Sequence, residues 1–277
     1  MIRFLDSFDH YTDMSQKWDG TYNLFLGIVS GGRWAGGQCA STSGPFGTQD
    51  SRRGGYKNIG GTETTIIVGF AFQLLFYSSG GNSPFLTLDE IGLGTHMQVA
   101  VDASGRLVVL RGSTTLDTYS VPIAASRWRY LEFKTTIHDS TGSYELRLDG
   151  ATVLSASGVD TRNGGSGYVD RINLSGVSGN AFGYQLEDLY VLDGVDSGVA
   201  GNPNDDFWGD TRIECLFPNG NGNSSDFDGS DGNSIDNYLL VDDTAPDGDT
   251  TYVEAGVVGD KDTYACLLYT SPSPRDS

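Results

Sequence analysis

Carboxylate pairs are the residues of this chain that come nearest to a catalytic pattern, because cleavage of a glycosidic bond needs two carboxyl groups flanking that bond. Asp89–Glu90 and Glu187–Asp188 are adjacent pairs, and adjacent residues of a strand point to opposite faces of a sheet. The chain has no Glu-x-Asp-x-x-Glu run, which would place carboxylates on one face. Asp89 could pair with Glu187 or Glu132 across a cleft, but solvent-facing charge at strand ends is the simpler interpretation. We therefore predict no catalytic residues and no enzyme.

Histidine, cysteine and glycine patterns indicate no other catalytic site. His10, His96 and His138 are scattered along the chain, so neither a serine triad nor a zinc site is predicted. Cys39 and Cys215 lie far apart without a Cys-x-x-Cys motif, and we expect both to be free thiols. No Gly-Lys-Ser/Thr follows the glycine-rich runs, which excludes a phosphate-binding loop.

One set of aromatic and basic residues suits carbohydrate. Trp34, Arg52, Arg53 and Tyr56 lie in or beside glycine-rich segments. Aromatic faces stack on sugar rings, and guanidinium groups bind hydroxyls and acidic groups. These four are the candidate ligand-binding residues, and packing between sheets is the alternative role for them.

Calcium is the one metal that the sequence suggests. Asp226, Asp228, Asp231 and Asp236 lie close together in a glycine-containing loop, and hard carboxylate oxygens are the ligands that Ca²⁺ prefers. The loop departs from the EF-hand pattern, because Asp231 stands where glycine is required and no Glu closes the loop. A solvated acidic loop is the alternative, and no other cofactor is predicted.

The charge balance excludes some classes of partner. The chain carries 17 Lys and Arg against 36 Asp and Glu, a net charge of −19, so binding to nucleic-acid phosphate is not expected. No segment approaches the roughly 20 apolar residues of a membrane helix, and the N-terminus lacks the apolar core of a signal peptide. We expect neither membrane insertion nor export.

The acidic residues are concentrated near the C-terminus. Residues 1–193 hold 19 acidic and 14 basic residues, a net −5, whereas residues 194–265 hold 16 and 2, a net −14. The junction is rich in Gly, Asn and Pro, as connections are. We predict one domain over 1–194 and a smaller acidic module over 195–265.

The last residues, 266–277, differ in composition from the rest. The translated transposase adaptor used in preparing sequencing libraries matches Cys266 through Asp276 without a mismatch. The resemblance implies that this tail is not native and that the acidic module is truncated at Ala265. A flexible Pro/Ser-rich tail is the alternative, and the segment is excluded from fold reasoning.

Short strands separated by glycine-rich turns dominate the first domain. Alternation and β-branched or aromatic side chains predict strands at Thr64–Leu75, His96–Val101, Arg106–Arg111, Trp128–Ile137, Tyr144–Leu148, Tyr168–Leu174 and Tyr184–Leu192. Phe70 and Phe72 share one strand face, and Asp149-Gly150 predicts a tight hairpin turn. No window shows a helical apolar stripe, so we predict an all-β, antiparallel sandwich.

The strand order resembles a known family. Trp128–Lys134, Tyr144–Gly150 and Tyr184–Leu192 resemble the central hairpin and closing strand of concanavalin A-like, laminin-G-like jelly rolls. Phe4–Tyr11 with Lys17-Trp18 resembles the start of such domains in tailed-phage virion proteins. This resemblance implies a jelly-roll fold for 1–194.

The acidic module resembles one that recurs in phage structural proteins, through Phe207–Glu214, Phe217–Gly220, Asn237–Asp242 and Val258–Tyr264. The resemblance implies a non-enzymatic structural or adhesion component of a tailed-phage particle, assembled in the host cytoplasm and located in the virion. Its partners would be other virion proteins or a host-surface glycan, and an oligomeric state is compatible with the sequence. A carbohydrate-binding lectin domain and a polysaccharide-degrading glycoside hydrolase are the alternatives.

Overall fold

A computed structural model describes residues 1–21, 26–42, 54–76, 80–175, 183–195, 204–243 and 250–266. The chain forms two compact units. The first comprises residues 1–9 and 13–213, and the second comprises residues 10–12 and the part of the chain from 214 onward. The predicted boundary near 195 falls beside residues 196–203, which lie outside the described residues, and it stays a prediction.

The first unit contains an eight-stranded antiparallel sheet, which we call sheet A. Seven of its strands follow the spatial order β13 (Ala151–Val159), β12 (Gly142–Leu148), β11 (Trp128–Thr136), β6 (Thr65–Phe76), β15 (Gly183–Leu192), β4 (Gln38–Ser41) and β3 (Gly27–Ser30). The eighth, β1 (Ile2–Asp6), also pairs with β15. Strands distant in sequence are therefore neighbours at the centre of the sheet.

A second antiparallel sheet, sheet B, has seven strands. Their order is β10 (Thr114–Thr118), β9 (Leu107–Arg111), β8 (Gly94–Val101), β7 (Ser83–Glu90), β14 (Arg171–Ser175), β5 (Gly54–Asn58) and β2 (Gly20–Thr21). One short 3₁₀ helix, Met14–Gln16, precedes β2. The predicted all-β, antiparallel class is confirmed, and within the described residues no helix is long and apolar enough to span a membrane.

The main core lies between the two sheets. Phe70 and Phe72 of β6 are fully buried, and the Phe72 ring stacks on Phe85 of sheet B with centroids 4.8 Å apart. Tyr184 of β15 also contacts both Phe72 and Phe85. The predicted shared face of Phe70 and Phe72 is thus the face that points toward sheet B.

A second apolar cluster lies on the opposite, outer face of sheet A. Its buried members are Ile67, Ala71, Tyr130, Tyr190 and Leu192. Among the partly buried side chains that pack against this cluster, Phe207, Trp208 and Ile213 come from residues 204–213, which we call the strap. Because both faces of the sheet are covered at its centre, strand β6 is apolar at nearly every position and does not alternate.

The second unit contains short strands and one 3₁₀ helix. Strands β16 (Pro218–Ser225) and β19 (Asp262–Cys266) pair, as do β17 (Asp228–Gly229) and β18 (Val253–Glu254), and the 3₁₀ helix spans Asn237–Leu240. The Asp262 carboxylate accepts bonds from Phe227 N, Asn237 Nδ2 and Tyr264 Oη. Of the predicted adaptor tail, Cys266 ends β19 and residues 267–277 lie outside the described residues, so that assignment stays a prediction.

Candidate functional site

Of the predicted sugar-binding residues the structure describes two, Trp34 and Tyr56, and it places them at different sheets. Trp34 lies in the loop between β3 and β4 of sheet A, whereas Tyr56 lies on β5 of sheet B. The Arg171 guanidinium stands 4.3 Å from the Tyr56 ring centroid and forms its cation–π contact. Arg52 and Arg53 lie outside the described residues, so their part in binding stays a prediction.

The predicted calcium ligands each have a different protein partner. Asp226 accepts a bond from Lys261 N, Asp228 from Ser234 Oγ, and Asp231 from Asn233. Asp236 accepts one from Asn221 Nδ2 at 3.0 Å. Among the residues that the structure describes, no three His, Cys, Asp or Glu side chains form a group that could hold a metal ion. Calcium binding here therefore stays an untested prediction.

The outer face of sheet A gathers charged and aromatic side chains. Tyr130, Glu132 and Lys134 alternate along β11 and so share this face, on which Tyr130 belongs to the outer cluster. On the neighbouring strand β12, Arg147 lies directly opposite Glu132, and Glu145 directly opposite Lys134. Directly opposed residues of antiparallel strands point to the same side. This face is therefore the candidate functional site.

Glu132 is buried at the centre of this face. Its Oε1 accepts bonds from Tyr190 Oη at 2.5 Å and from the backbone N–H of Gly209 at 2.8 Å. Gly69 of β6 lies beneath the Tyr190 ring, and a Cβ at that position would collide with it. The Oε2 atom of Glu132 is buried and has no hydrogen-bond partner among the described residues, so one acceptor remains for a ligand or water.

A bulge places two adjacent carboxylates beside one loop. Asp188 adopts a left-handed backbone with φ of 55°, and the pairing of β15 with β6 shifts register just after Glu187. Glu187 Oε2 accepts a bond from Arg33 N, while Asp188 accepts bonds from Trp34 Nε1 at 2.9 Å and Ile213 N at 2.8 Å. The expected opposite orientation of this pair is wrong, because the bulge breaks the alternation of side chains.

Burial changes the acidity of both carboxyl groups. Burial, with added repulsion from Asp188 and Asp9, raises the pKa of Glu187 to about 7, and the bond from Arg33 N only partly opposes this. Burial also raises the pKa of Asp188. A carboxyl group with a pKa near 7 is suited to donate a proton at neutral pH. Sequence reasoning missed this property because it depends on the bulge and on the loop above it.

Two buried tyrosines complete the site as hydrogen-bond donors. Burial, with repulsion from nearby carboxylates, raises the pKa of both Tyr130 and Tyr190 well above the ordinary value. Both hydroxyls therefore stay protonated at neutral pH. Tyr190 donates to Glu132, and Tyr130 donates to the carbonyl oxygen of Asp188 at 3.1 Å. Tyr190 therefore positions the Glu132 carboxylate, and Tyr130 positions the backbone of the bulge at Asp188.

The raised pKa of Glu187 predicts a specific pH dependence of stability. The folded protein binds this proton more tightly than the unfolded chain, so the free energy of unfolding falls as pH rises from about 4.5 to about 7. In the wild type we expect the free energy of unfolding to decline by about 3 kcal/mol across that window. In Glu187→Gln this decline should be absent. Urea unfolding at several pH values measures it.

Glu145 provides the control for this titration. Although burial raises its pKa, hydrogen bonds from Thr152 and Arg147 outweigh that effect and lower it. Its contribution is therefore present above the unfolded pKa and is lost as pH falls, so Glu145→Gln has the opposite sign. A Glu187→Gln variant with the pH profile of the wild type would contradict the assignment.

An open polar depression lies on the same sheet, and Lys134, which lines it, is two residues from Glu132 on β11. It measures about 390 Å³ and is lined by Lys134, Ser143, Tyr144, Glu145, Ser155, Ala156 and Ser157 of β11, β12 and β13. Glu145 accepts bonds there from Arg147 Nε at 2.7 Å and Thr152 Oγ1 at 2.6 Å. Hydroxyl, ammonium and carboxylate groups in an open groove suit the hydroxyls of a sugar chain.

Asp89 does not belong to this face. It lies on β7 of sheet B, where its Oδ2 accepts a bond from Asn173 of β14. Glu132 and Glu187 lie on sheet A, so the pairing of Asp89 with either of them across a cleft is not formed. The physical reason is topological, because β7 and β15 belong to different layers of the sandwich.

The sequence matches no known protein-family profile and no curated protein. Among solved structures, the endo-β-1,4-glucuronan lyase from the fungus Trichoderma reesei is similar with a TM-score of 0.50 and 15% identity, covering 69% of this chain and 95% of that one. The cellulose induced protein Cip1 is similar with a TM-score of 0.53 and 14% identity, covering 76% of this chain and 99% of that one. At these identities the likeness establishes the fold alone, which is the predicted β-sandwich jelly roll.

Two sequence-based predictions change with this comparison. The prediction that the chain is not an enzyme, made because no catalytic carboxylate pattern was found, is contradicted, because a polysaccharide lyase is among the solved structures with a similar fold. The predicted phage, tail and virion assignments receive no support from any of the comparisons.

Proposed function

We propose that this protein acts on polysaccharide, binding a sugar chain along the outer face of sheet A and cleaving it by carboxyl acid–base chemistry. The observation that carries the proposal is Glu187, a buried carboxyl group with a pKa of about 7. It shares its face with Glu132, and the open groove along β11–β13 is lined by Lys134, two residues from Glu132 on β11. The jelly-roll likeness to a glucuronan lyase supports the proposal by analogy only.

In this mechanism the groove orients the chain and the buried carboxyl groups transfer protons. Glu187 in its protonated form donates its proton to the leaving oxygen as the glycosidic C–O bond breaks. Glu132 accepts the balancing proton, either from a water molecule whose oxygen bonds to the anomeric carbon in hydrolysis, or from a sugar carbon that then forms a C=C bond in elimination. Tyr190 holds the Glu132 carboxylate through its hydrogen bond, and Tyr130 holds the backbone carbonyl of Asp188, the residue after Glu187. A purely carbohydrate-binding protein would use the groove alone.

Incubation of the protein with a panel of acidic and neutral polysaccharides tests the proposal. We expect new reducing ends from at least one polymer, and ultraviolet absorbance of unsaturated ends distinguishes elimination from hydrolysis. Retention on a polymer without any new ends would reduce the function to binding. If the protein is neither retained on any polymer nor cleaves any polymer, the proposal is wrong. The virion role, with other particle proteins as partners, is then the alternative to test.

A further inference from the structure

The strap lies on the outer face of sheet A without forming a strand. Its Phe207 ring is 4.0 Å from the Arg147 guanidinium, and its Trp208 ring packs on Tyr190 with centroids 5.0 Å apart. A sugar ring likewise packs with its face against an aromatic side chain. The strap therefore supplies two ring faces to the candidate site.

The polar contacts of the strap are those of an acidic ligand. Asp206 lies 3.9 Å from Lys134 Nζ, and Asp210 Oδ2 lies 2.5 Å from the Arg33 guanidinium. In addition, backbone N–H groups of the strap donate to the face, from Trp208 to Tyr190, from Gly209 to Glu132 and from Ile213 to Asp188. Carboxylates, flat rings and hydrogen-bond donors are also the groups that a chain of acidic sugars carries.

We propose that the strap is an internal mimic of an acidic polysaccharide, and that the ligand of this face is a uronate-bearing chain that binds in its place. The inference rests on the proposed function and names its substrate class. Uronate carboxylates take the positions of Asp206 and Asp210, and sugar rings take those of Phe207 and Trp208.

The strap leaves part of the face unsatisfied. Glu132 Oε2, Glu187 Oε1 and one terminal nitrogen of Arg33 are buried and have no hydrogen-bond partner in the part of the chain that the structure describes. Both glutamate side chains are essentially inaccessible, at 1% and 0% exposure. Buried polar groups without partners are unfavourable, so a hydroxyl-rich ligand gains bonds that the strap cannot make.

The ion pairs of the strap are easily exchanged. The side chains of Asp206 and Asp210 are 59% and 54% exposed, and exposed ion pairs contribute little to stability. Their cations are less exposed, with the Arg33 side chain at 16%. A neutral polymer that displaced the strap would leave Arg33 with Asp188 at 3.7 Å but without Asp210, whereas a uronate restores the second carboxylate partner. This asymmetry favours acidic over neutral polysaccharide.

The test compares the double variant D206N/D210N with the wild type. Binding is measured to alginate, polygalacturonate and glucuronan, and to xylan and galactomannan as neutral polymers. We expect the variant to bind at least one uronate polymer roughly fivefold more tightly than the wild type does. The control D139N/D160N makes the same charge change at exposed ion pairs with Arg162 and Arg111, and it should leave binding unchanged.

Hydrogen exchange provides the second readout. The amides of Trp208, Gly209 and Ile213 should exchange faster when a uronate polymer saturates the wild type, because their acceptors are then occupied by the ligand. If a uronate polymer binds while these amides stay protected from exchange, the polymer does not replace the strap, and the proposal that the strap is a mimic is wrong. Binding or cleavage of neutral polymers alone would overturn the uronate class while leaving the proposed function intact, and no binding to any polymer would remove both.

Discussion

Polysaccharide turnover falls by about a hundredfold or more when Glu132 or Glu187 is replaced by Gln, the loss typical of removing a general acid or base. Gln keeps the shape of the side chain and the Oε1 acceptor that receives Tyr190 Oη and Gly209 N–H in the wild type. The change removes only the capacity to exchange a proton. The effect should therefore appear in kcat, with binding of the polymer largely retained.

The matched control for both variants is Glu63→Gln, which makes the same chemical change at an ion pair with Arg3. Initial rates of reducing-end formation are compared on whichever polymer the wild type cleaves, with thermal unfolding as the check on folding. If the Glu132→Gln and Glu187→Gln proteins are folded and as active as Glu63→Gln, neither carboxyl group takes part in the mechanism.

The free energy of unfolding falls by about 3–5 kcal/mol in Phe72→Ala, the usual cost of emptying a phenylalanine site in a core. Phe72 is fully buried, stacks on Phe85 and contacts Phe70 and Tyr184. The cavity would lie between the two sheets, where the neighbouring rings come from both layers and cannot collapse together without moving a strand.

Phe76→Ala is the control within the same strand, because Phe76 lies at the end of β6 with 43% of its surface exposed. We expect it to cost less than about 1 kcal/mol. Urea unfolding of both variants compares the two sites. Equal losses would mean that the β6–β7 contact is not the centre of the core.

The fold was accessible from sequence because local chemistry and layer packing agree. The predicted hairpin of His96–Val101 and Arg106–Arg111 corresponds to β8 and β9, which pair in the expected antiparallel register. The Asp149-Gly150 turn has both residues at positive φ, 52° and 78°, as a tight hairpin turn requires. Each of these features depends on a few neighbouring residues.

The candidate site was not accessible in the same way. Glu187 and Asp188 contact one loop only because a bulge interrupts β15, and strict alternation gives no sign of it. Glu132 reads as ordinary strand alternation, and the apolar residues on both faces of β6, which are the local signal of a second covering layer, were not used in the sequence-based prediction. The strap that forms this layer belongs to the segment that composition had assigned to the acidic module, and it holds only three of that segment's 16 acidic residues.

The position of a bound oligosaccharide tests the central claim most directly. A crystal structure of the protein with a fragment of the polymer that it binds should show sugar along β11–β13, in contact with Lys134 and Glu145 and reaching toward Glu132. A fragment bound instead on the outer face of sheet B, beside Tyr56 and Arg171, would contradict the account.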